Sequence, residues 1–332
     1  RVGALDIGFE ARLTNSGMAA VEAVVEAAEI QPGDNIARGE VLYSMTPQVL
    51  ERRRGLTGGR LTLDVLPADA GNFFDAAKKD YQRYSRRMFF FETIGNGRPM
   101  PVFEFDGVLR DVWRWENTWL VLDNTFLTCV LFNPFAVYAR VREEFGEDPR
   151  VKFVYVESLS KHYRAHGGFD HAPGGIVIGP KDFIAKCDEA LQFGGVMTTP
   201  TLLDFPYDLY DAAAAVMPQL SRNAAAAAEF LRGHSQTKEV WYPDLAERLS
   251  QASGAGGVLF FEAKVEQPGF GERVLAEVIP PRASFGHDDT THVDFGSLDP
   301  KFPPGLIRLA VGARETPQEV VSKLEACLGR RP

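Results

Sequence analysis

Cysteine is scarce in this sequence, with three residues among 332. Cys129, Cys187 and Cys327 lie far apart, and neither a CxxC motif nor a Cys/His spacing typical of metal ligands is present. The odd count and the missing ligand pattern argue against a disulfide framework and against a structural zinc site. Because free cysteines persist in reducing compartments, we expect a cytoplasmic protein.

Long apolar runs and large basic clusters are lacking as well. Every apolar run is far shorter than the roughly 20 residues that a bilayer requires, so we expect no membrane partner. The basic run Arg52–Arg54 is short and the net charge is -9, which argues against nucleic acid as the main partner. The sequence starts at Arg1 and has no apolar signal segment, so we expect an N-terminus that is trimmed or incomplete.

The first part of the sequence alternates helix-like and strand-like segments. Residues 17–31 have apolar positions at helical spacing, and residues 70–84 are also helix-like. Strand-like segments, one of alternating pattern and four of short β-branched or aromatic character, lie at residues 60–66, 86–93, 119–126, 150–158 and 174–179. Nearly continuous apolar runs are typical of strands that are buried on both faces of a sheet. We therefore predict an α/β fold with a mostly parallel sheet.

The pattern changes after residue 200. We predict long helices at residues 205–233 and 238–252, strands at 257–265 and 306–312, and a last helix that begins after Thr316. The chain is longer than the roughly 250–300 residues at which a single core usually stops growing, so we expect two domains. A boundary near residue 200 gives a large domain over residues 1–200 and a smaller α+β domain over residues 201–332.

Polar side chains stand at the ends of three predicted strands. These segments are Glu92-Thr93 with Asn96 beyond it, Asp123-Asn124-Thr125, and Ser158-Leu159-Ser160-Lys161. Because ligands bind outside the carboxyl ends of the strands in an open parallel sheet, we expect these side chains to converge on one edge. Each also has an ordinary interpretation: an Asp can cap a helix, Ser-x-Ser and Asn-Gly form turns, and a Lys after a strand can be solvated.

Taken together, these residue types meet the requirements of pyridoxal phosphate. A carboxylate keeps a pyridinium nitrogen protonated, and an amine forms a Schiff base with the carbonyl group of the cofactor. Hydroxyls and the N–H groups at a helix start bind a phosphate. In this interpretation Asp123 pairs with the pyridinium nitrogen and Lys161 forms the Schiff base.

Several short segments match the motifs of one known family in the same order. They are Ser16-Gly17-Met18-Ala19-Ala20, Tyr43-Ser44-Met45-Thr46, Glu92-Thr93-Ile94-Gly95-Asn96, Asp123-Asn124-Thr125-Phe126, Ser158-Leu159-Ser160-Lys161, Ser284-Phe285-Gly286 and Gly305-Leu306-Ile307-Arg308-Leu309. On these motifs the sequence resembles the Cys/Met-metabolism (trans-sulfuration) enzymes, which include cystathionine γ-synthase, the cystathionine lyases and methionine γ-lyase. The matches extend over nearly the whole chain, and DNTF, the SxSK lysine and GLIRL are specific in combination.

The resemblance implies a cofactor-binding role for eight residues. Lys161 would hold pyridoxal phosphate and act as the base at Cα, and Asp123 would pair with the pyridine nitrogen. Tyr43 would stack on the ring and assist proton transfer, although a strand-end core aromatic is the alternative interpretation. Backbone N–H groups of Gly17 and Met18 and the hydroxyls of Ser158 and Ser160 would bind the phosphate, and Asn96 would contact the ring hydroxyl.

The resemblance also implies two substrate-binding residues. Arg308 would bind the substrate carboxylate as a bidentate pair, which a lysine could not do, and Ser284 would assist. The alternative for Arg308 is an ordinary strand arginine, but a buried arginine in an apolar run needs a partner. Three histidines follow the lysine at positions 162, 166 and 171. We expect no metal there, because a pyridoxal site needs none.

The sequence departs from the family pattern at several places. Only about fifteen residues precede the phosphate loop, whereas the family has a longer arm that reaches the neighbouring subunit. A charged insert occupies residues 140–150, Asn96 is followed by Gly97, and Asp289 stands where a Glu is expected. Residues 205–207 replace an Arg-Gly-Leu helix start. Because the last two changes fall where the family adapts to its substrate, a non-standard amino acid is one expectation.

The resemblance implies fold type I, with a mostly parallel seven-stranded sheet flanked by helices, and a homotetramer built from dimers. The main functional hypothesis is γ-substitution or γ-elimination on a homoserine-derived or sulfur-containing amino acid, with synthase and lyase both open. Other fold-type I chemistry, such as β-elimination, transamination or carbon–carbon bond formation, is a second hypothesis. A catalytically degenerate partner subunit, suggested by the short N-terminal segment, is a third.

Overall fold

The computed structural model of the chain describes residues 8–67, 81–163, 174–194, 209–245, 249 and 251–329. Most of the predicted helix at 70–84 lies outside these ranges, as do the domain boundary near residue 200, residues 205–207, His166 and His171. The division into two domains therefore stays a prediction. In the described ranges, no helix is both long enough and apolar enough to cross a membrane.

Seven strands form the larger sheet of the described residues. They are β1 Phe9–Thr14, β2 Asn35–Gly39, β3 Thr62–Leu66, β4 Arg87–Glu92, β5 Thr118–Asp123, β6 Lys152–Ser158 and β7 Gly175–Pro180. Their order is β1-β7-β6-β5-β4-β2-β3. The pairs from β6 to β3 are parallel, and β7 is antiparallel to both of its neighbours. The predicted mostly parallel sheet is confirmed.

Helices cover both faces of this sheet. They are α1 Gly17–Ala27, α2 Thr46–Leu56, α3 Phe105–Val112, α4 Thr128–Leu131, α5 Pro134–Phe145 and α6 Lys181–Phe193. The strand side chains alternate between the two cores: Met88 and Phe90 pack on the side of α1, α2 and α6, whereas Phe89 and Phe91 pack on the side of α3 and α5. Burial on both faces explains why β4 reads as a continuous apolar run.

The C-terminal part contains a smaller antiparallel sheet. Its strands are β8 Thr237–Trp241, β9 Val258–Ala263, β10 Thr291–Asp294 and β11 Leu306–Ala310, in the order β10-β11-β9-β8. The helical elements of this part are α7 Leu209–Ala214, α8 Met217–Gly233, a π-helical turn at Gly271–Leu275, α9 Phe295–Leu298 and α10 Pro317–Leu328. Thr316 caps α10 and forms a capping box with Glu319, as the sequence predicts.

The predicted helix at residues 238–252 is wrong at its start, because residues 237–241 form β8. Val240 pairs with Phe261 and Trp241 with Phe260 on the central strand β9. Cross-strand packing of β-branched and aromatic side chains favours the strand and overrides the local pattern. Strands β1, β2 and β10 were not predicted, because each mixes polar residues into a short segment.

Candidate active site

The carboxyl ends of β4, β5 and β6 meet at one edge of the large sheet. Glu92 is the register partner of Asp123, and Asp123 that of Val156, two residues before Ser158. The N-terminus of α1 reaches the same edge, since a Cβ atom on Gly17 would lie only 2.7 Å from the Cβ atom of Ser158. The predicted convergence of polar strand ends is therefore present.

These side chains surround a cavity of about 210 Å³. Its wall contains eight of the ten predicted site residues, which are Gly17, Met18, Tyr43, Asn96, Asp123, Ser158, Ser160 and Lys161. Seven residues that the sequence analysis did not assign to the site complete the wall, namely Ser16, Val21, Thr46, Glu92, Thr125, Phe126 and Phe285. Most of these seven stand inside or beside the motif segments, which is the signal that could have identified them.

Lys161 lies in a turn after β6. Its amine is close to Asp123 of the large sheet and to Ser284 of the C-terminal part. Its Nζ atom donates a hydrogen bond to Ser284 Oγ at 2.8 Å and lies 5.1 Å from the centroid of the Phe285 ring. Burial and, to a smaller extent, Arg308 lower the pKa of Lys161 to about 8, although Asp123 acts in the opposite direction. Roughly a tenth of this amine is therefore neutral and nucleophilic at pH 7, far more than for an ordinary lysine.

Asp123 and Glu92 place two carboxyl groups side by side at the cavity wall. Burial raises the pKa of Asp123, while hydrogen bonds from the hydroxyl (2.6 Å) and backbone N–H (2.9 Å) of Thr125 and the charge of Lys161 lower it. Burial and the neighbouring Asp123 raise the pKa of Glu92 well above its usual range. A cationic ring nitrogen at this position would stabilise the ionised form of Asp123.

An anion-binding cradle lies at the start of α1. Ser16 caps the helix by accepting a hydrogen bond from Ala19 N at 3.0 Å, so the first N–H groups of the helix open toward the cavity. The hydroxyls of Ser158 and Ser160 lie 2.9 Å apart on the opposite side. Because Gly17 has no side chain, the helix start can approach them closely. Helix N–H groups and hydroxyls together suit a phosphate.

Glu92 fixes the two other cavity-wall residues that the motifs predict. Its carboxyl oxygens accept hydrogen bonds from the backbone N–H groups of Tyr43 at 2.5 Å and Asn96 at 3.2 Å. The Tyr43 side chain is 40% exposed, so its ring is open to a ligand. The side-chain oxygen of Asn96 is buried and has no hydrogen-bond partner among the described residues. It is therefore available to a ligand group.

Arg308, on β11, lies next to the cavity behind Phe285. Only 5% of the residue is exposed, and the guanidinium donates to the carbonyl oxygen of Ala283. It lies 5.8 Å from the centroid of the Phe285 ring and 6.0 Å from that of Phe295. Burial lowers the pKa of Arg308 to about 10. In the described part of the chain no carboxylate pairs with it, so a substrate carboxylate is a fitting partner.

Comparison with known proteins shows which family this chain resembles. The model of the family described as Cys/Met metabolism PLP-dependent enzyme matches residues 1–142. L-methionine gamma-lyase of Fusobacterium nucleatum subsp. polymorphum is 24% identical over 352 residues, which cover 98% of this chain and 81% of that protein. The chain is therefore similar to this family, whose model matches its first 142 residues.

Two further similar proteins extend the comparison. Cystathionine beta-lyase of Coxiella burnetii is 24% identical over 259 residues, covering 76% of this chain and 60% of that protein. The crystal structure of cystathionine gamma synthase from Xanthomonas oryzae pv. oryzae in complex with cystathionine superposes with a TM-score of 0.76 at 20% identity. That match covers 99% of this chain and 83% of the other, so the two share their fold.

Pyridoxal phosphate is the cofactor named in the description of the matched family. The residues at the cavity fit that group. Any side chain at position 17 would fill the space beside Ser158. The buried side-chain oxygen of Asn96 has no hydrogen-bond partner among the described residues, and the amine of Lys161 is partly neutral. Asp123 supplies the carboxylate that a pyridine nitrogen requires.

Proposed function

We propose that this enzyme catalyses γ-elimination or γ-substitution on a homoserine-derived or sulfur-containing amino acid. The observation that supports the proposal is the position of the Lys161 amine, which donates a hydrogen bond to Ser284 and has its pKa lowered by burial and by the nearby Arg308. Among the described residues, no carboxylate pairs with Arg308. These groups supply an amine and a carboxylate site for an α-amino acid. The similarity to methionine and cystathionine enzymes supports the choice of substrate class.

The residues of the cavity would hold the cofactor as follows. Lys161 would bind its aldehyde carbon, Asp123 would pair with its ring nitrogen, and Tyr43 would stack on its ring. The N–H groups of Gly17 and Met18 and the hydroxyls of Ser158 and Ser160 would hold the phosphate, and Asn96 would contact the ring hydroxyl. When bound, pyridoxal phosphate withdraws electrons and thereby stabilises negative charge at the substrate Cα atom.

The chain's own residues then act on the substrate. Arg308 binds the α-carboxylate through two parallel N–H donors, and Ser284 adds a hydroxyl beside the same group. The Lys161 amine would accept the proton from Cα, because its lowered pKa makes it an effective base. A second proton would have to leave Cβ before the γ-substituent departs. The Tyr43 hydroxyl, at the open side of the cavity, can donate a proton to the departing γ-substituent.

The decisive experiment combines reconstitution with product analysis. The purified protein with pyridoxal phosphate is incubated with methionine, cystathionine and O-acylhomoserine, with and without added thiol. We expect 2-oxobutanoate from γ-elimination, or a new thioether when the thiol is present. Lys161→Ala should abolish turnover and the absorbance of the lysine-bound cofactor, whereas a wild-type protein that binds no cofactor would contradict the proposal.

β-Elimination is a second candidate, favoured by the similarity to a cystathionine beta-lyase. The same base and carboxylate site would serve it, with the leaving group on Cβ in place of Cγ. Pyruvate release from cystathionine or cysteine, without 2-oxobutanoate, would identify this reaction. Product analysis in the experiment above therefore separates the two candidates.

We also propose a cytoplasmic homotetramer built from dimers. The resemblance to the trans-sulfuration family supports the assembly, and three free cysteines are consistent with a reducing compartment. A molar mass near four times 36.7 kDa in light scattering is the expected result. A monomer would contradict it.

A further inference from the structure

A buried carboxyl group lies behind the turn that carries Lys161. Glu157 is 3% exposed and directly precedes Ser158, the last residue of β6. Because neighbouring strand residues point to opposite faces, Glu157 points away from the cavity that Ser158 lines. No part of the proposed reaction uses this carboxyl group.

Two tyrosine hydroxyls converge on Glu157. Tyr163 donates to its Oε1 atom at 2.6 Å, and Tyr155 donates to its Oε2 atom. Tyr155 is 1% exposed and Tyr163 is 5% exposed, so both hydrogen bonds are shielded from water. In a site of low polarity such hydrogen bonds to an acid are strong, and losing one leaves a buried group unsatisfied.

The bond between Glu157 and Tyr163 joins the two ends of the lysine-bearing turn. Glu157 lies four residues before Lys161, and Tyr163 lies two residues after it. Tyr155, in contrast, belongs to the body of β6 and lies on the strand side of the lysine. Only one of the two tyrosine contacts therefore constrains the path of the chain through Lys161.

The surroundings of Glu157 contain negative and neutral groups. Asp123 on β5, Cys129 on α4 and the two tyrosines are its titratable neighbours, and no ion pair with Glu157 is found in the described part of the chain. Burial raises the pKa of Glu157 to about 8, with a smaller contribution from Asp123, although the hydrogen bonds from both tyrosines lower it. Burying an acid costs free energy, and an apolar side chain would fill the same space at a lower cost. We therefore expect Glu157 to have a role other than packing.

We propose that Glu157 is a positioning residue for Lys161, acting through its hydrogen bond to Tyr163, which fixes both ends of the lysine-bearing turn. The inference rests on the proposed function, in which Lys161 binds pyridoxal phosphate. Fixing the turn holds the amine at the cavity wall before the cofactor arrives. The cofactor then binds without first ordering this segment of the chain, which strengthens its affinity.

Tyr163→Phe and Tyr155→Phe form a matched pair of variants, since each removes one hydroxyl from Glu157. Cofactor-free protein is titrated with pyridoxal phosphate, reduced with borohydride, and the label at residue 161 is quantified by mass spectrometry. We expect Tyr163→Phe to weaken cofactor binding on the order of tenfold and to reduce labelling at a fixed concentration. Tyr155→Phe should stay within about threefold of wild type, at a comparable change in Tm.

Glu157→Gln and Glu157→Leu provide the rescue test. Glutamine keeps an acceptor for the Tyr163 hydroxyl and should retain most of the affinity, whereas leucine should lose as much as Tyr163→Phe. If Glu157→Leu fails to fold, the tyrosine pair alone decides. Equal weakening by both tyrosine variants would overturn the positioning role. Absence of any label at residue 161 in the wild-type protein would instead overturn the proposed function.

Discussion

Lys161 lies between two groups of opposite charge, and both act on its protonation. Burial is the largest cause of its lowered pKa of about 8, Arg308 lowers it further, and Asp123 raises it. The neutral amine attacks a carbonyl carbon, whereas the ammonium ion does not. Removal of either neighbouring charge should therefore move the pH at which the lysine becomes reactive.

Two variants should shift this pH in opposite directions. Arg308→Leu removes a positive charge and keeps the site buried, so the pKa of Lys161 should rise. Asp123→Asn removes a negative charge, so the pKa of Lys161 should fall. The measurement is the pH dependence of the rate at which cofactor-free protein incorporates pyridoxal phosphate at residue 161. We expect an inflection near pH 8 for wild type, a higher one for Arg308→Leu and a lower one for Asp123→Asn. Shifts in the same direction would contradict this electrostatic account.

At the scale of helices and strands, the sequence predicts those elements whose local residue pattern reflects their burial. Strands such as β4 and β6 were recognisable because burial on both faces produces a continuous apolar run. Strand β2 was not, because the buried Asn35 side chain donates a hydrogen bond to Asp64 on the neighbouring strand, which no local pattern reveals. The site was predictable where motifs stand at strand ends, whereas the contact between Lys161 and Phe285 joins segments that are far apart in the sequence.

The turn at Gly286 packs against the lysine-bearing turn and offers a test at this scale. Its φ is +87°, and a Cβ atom there would lie 1.3 Å from the carbonyl oxygen of Lys161. Gly33 has a similar φ of +95°, but a Cβ atom would meet nothing within 4 Å. Gly33→Ala should therefore cost only the left-handed strain, about 1–2 kcal/mol of unfolding free energy.

Gly286→Ala should cost clearly more than Gly33→Ala in denaturant unfolding of the cofactor-free protein, because the lysine-bearing turn must move. We also expect weaker binding of pyridoxal phosphate in Gly286→Ala alone. Equal losses of stability and unchanged cofactor affinity would mean that the two turns are not tightly packed.

On the scale of the whole molecule, the site depends on how the two sheets are joined. Lys161 follows β6 of the large sheet, whereas Ser284 and Arg308 belong to the C-terminal part. A second connection runs from the loop after Asn96. Arg98 lies 3.6 Å from Glu262 and 5.6 Å from the ring centroid of Trp241, both in the small sheet. This link should help to set the distance between the Lys161 amine and Arg308, where we expect the substrate carboxylate to bind.

Arg98→Met and Lys238→Met test that link, because each removes one cation from Glu262. Lys238 bonds to Glu262 at 2.6 Å but stands on the neighbouring strand of the same small sheet, so it does not join the sheets. Both cations are partly exposed, so each variant should lose under about 1 kcal/mol of unfolding free energy. Arg98→Met should raise KM for the amino-acid substrate about threefold or more with little change in kcat, since the carboxylate site moves relative to Lys161. Lys238→Met should leave KM unchanged, and an equal rise in both variants would assign the effect to Glu262 itself.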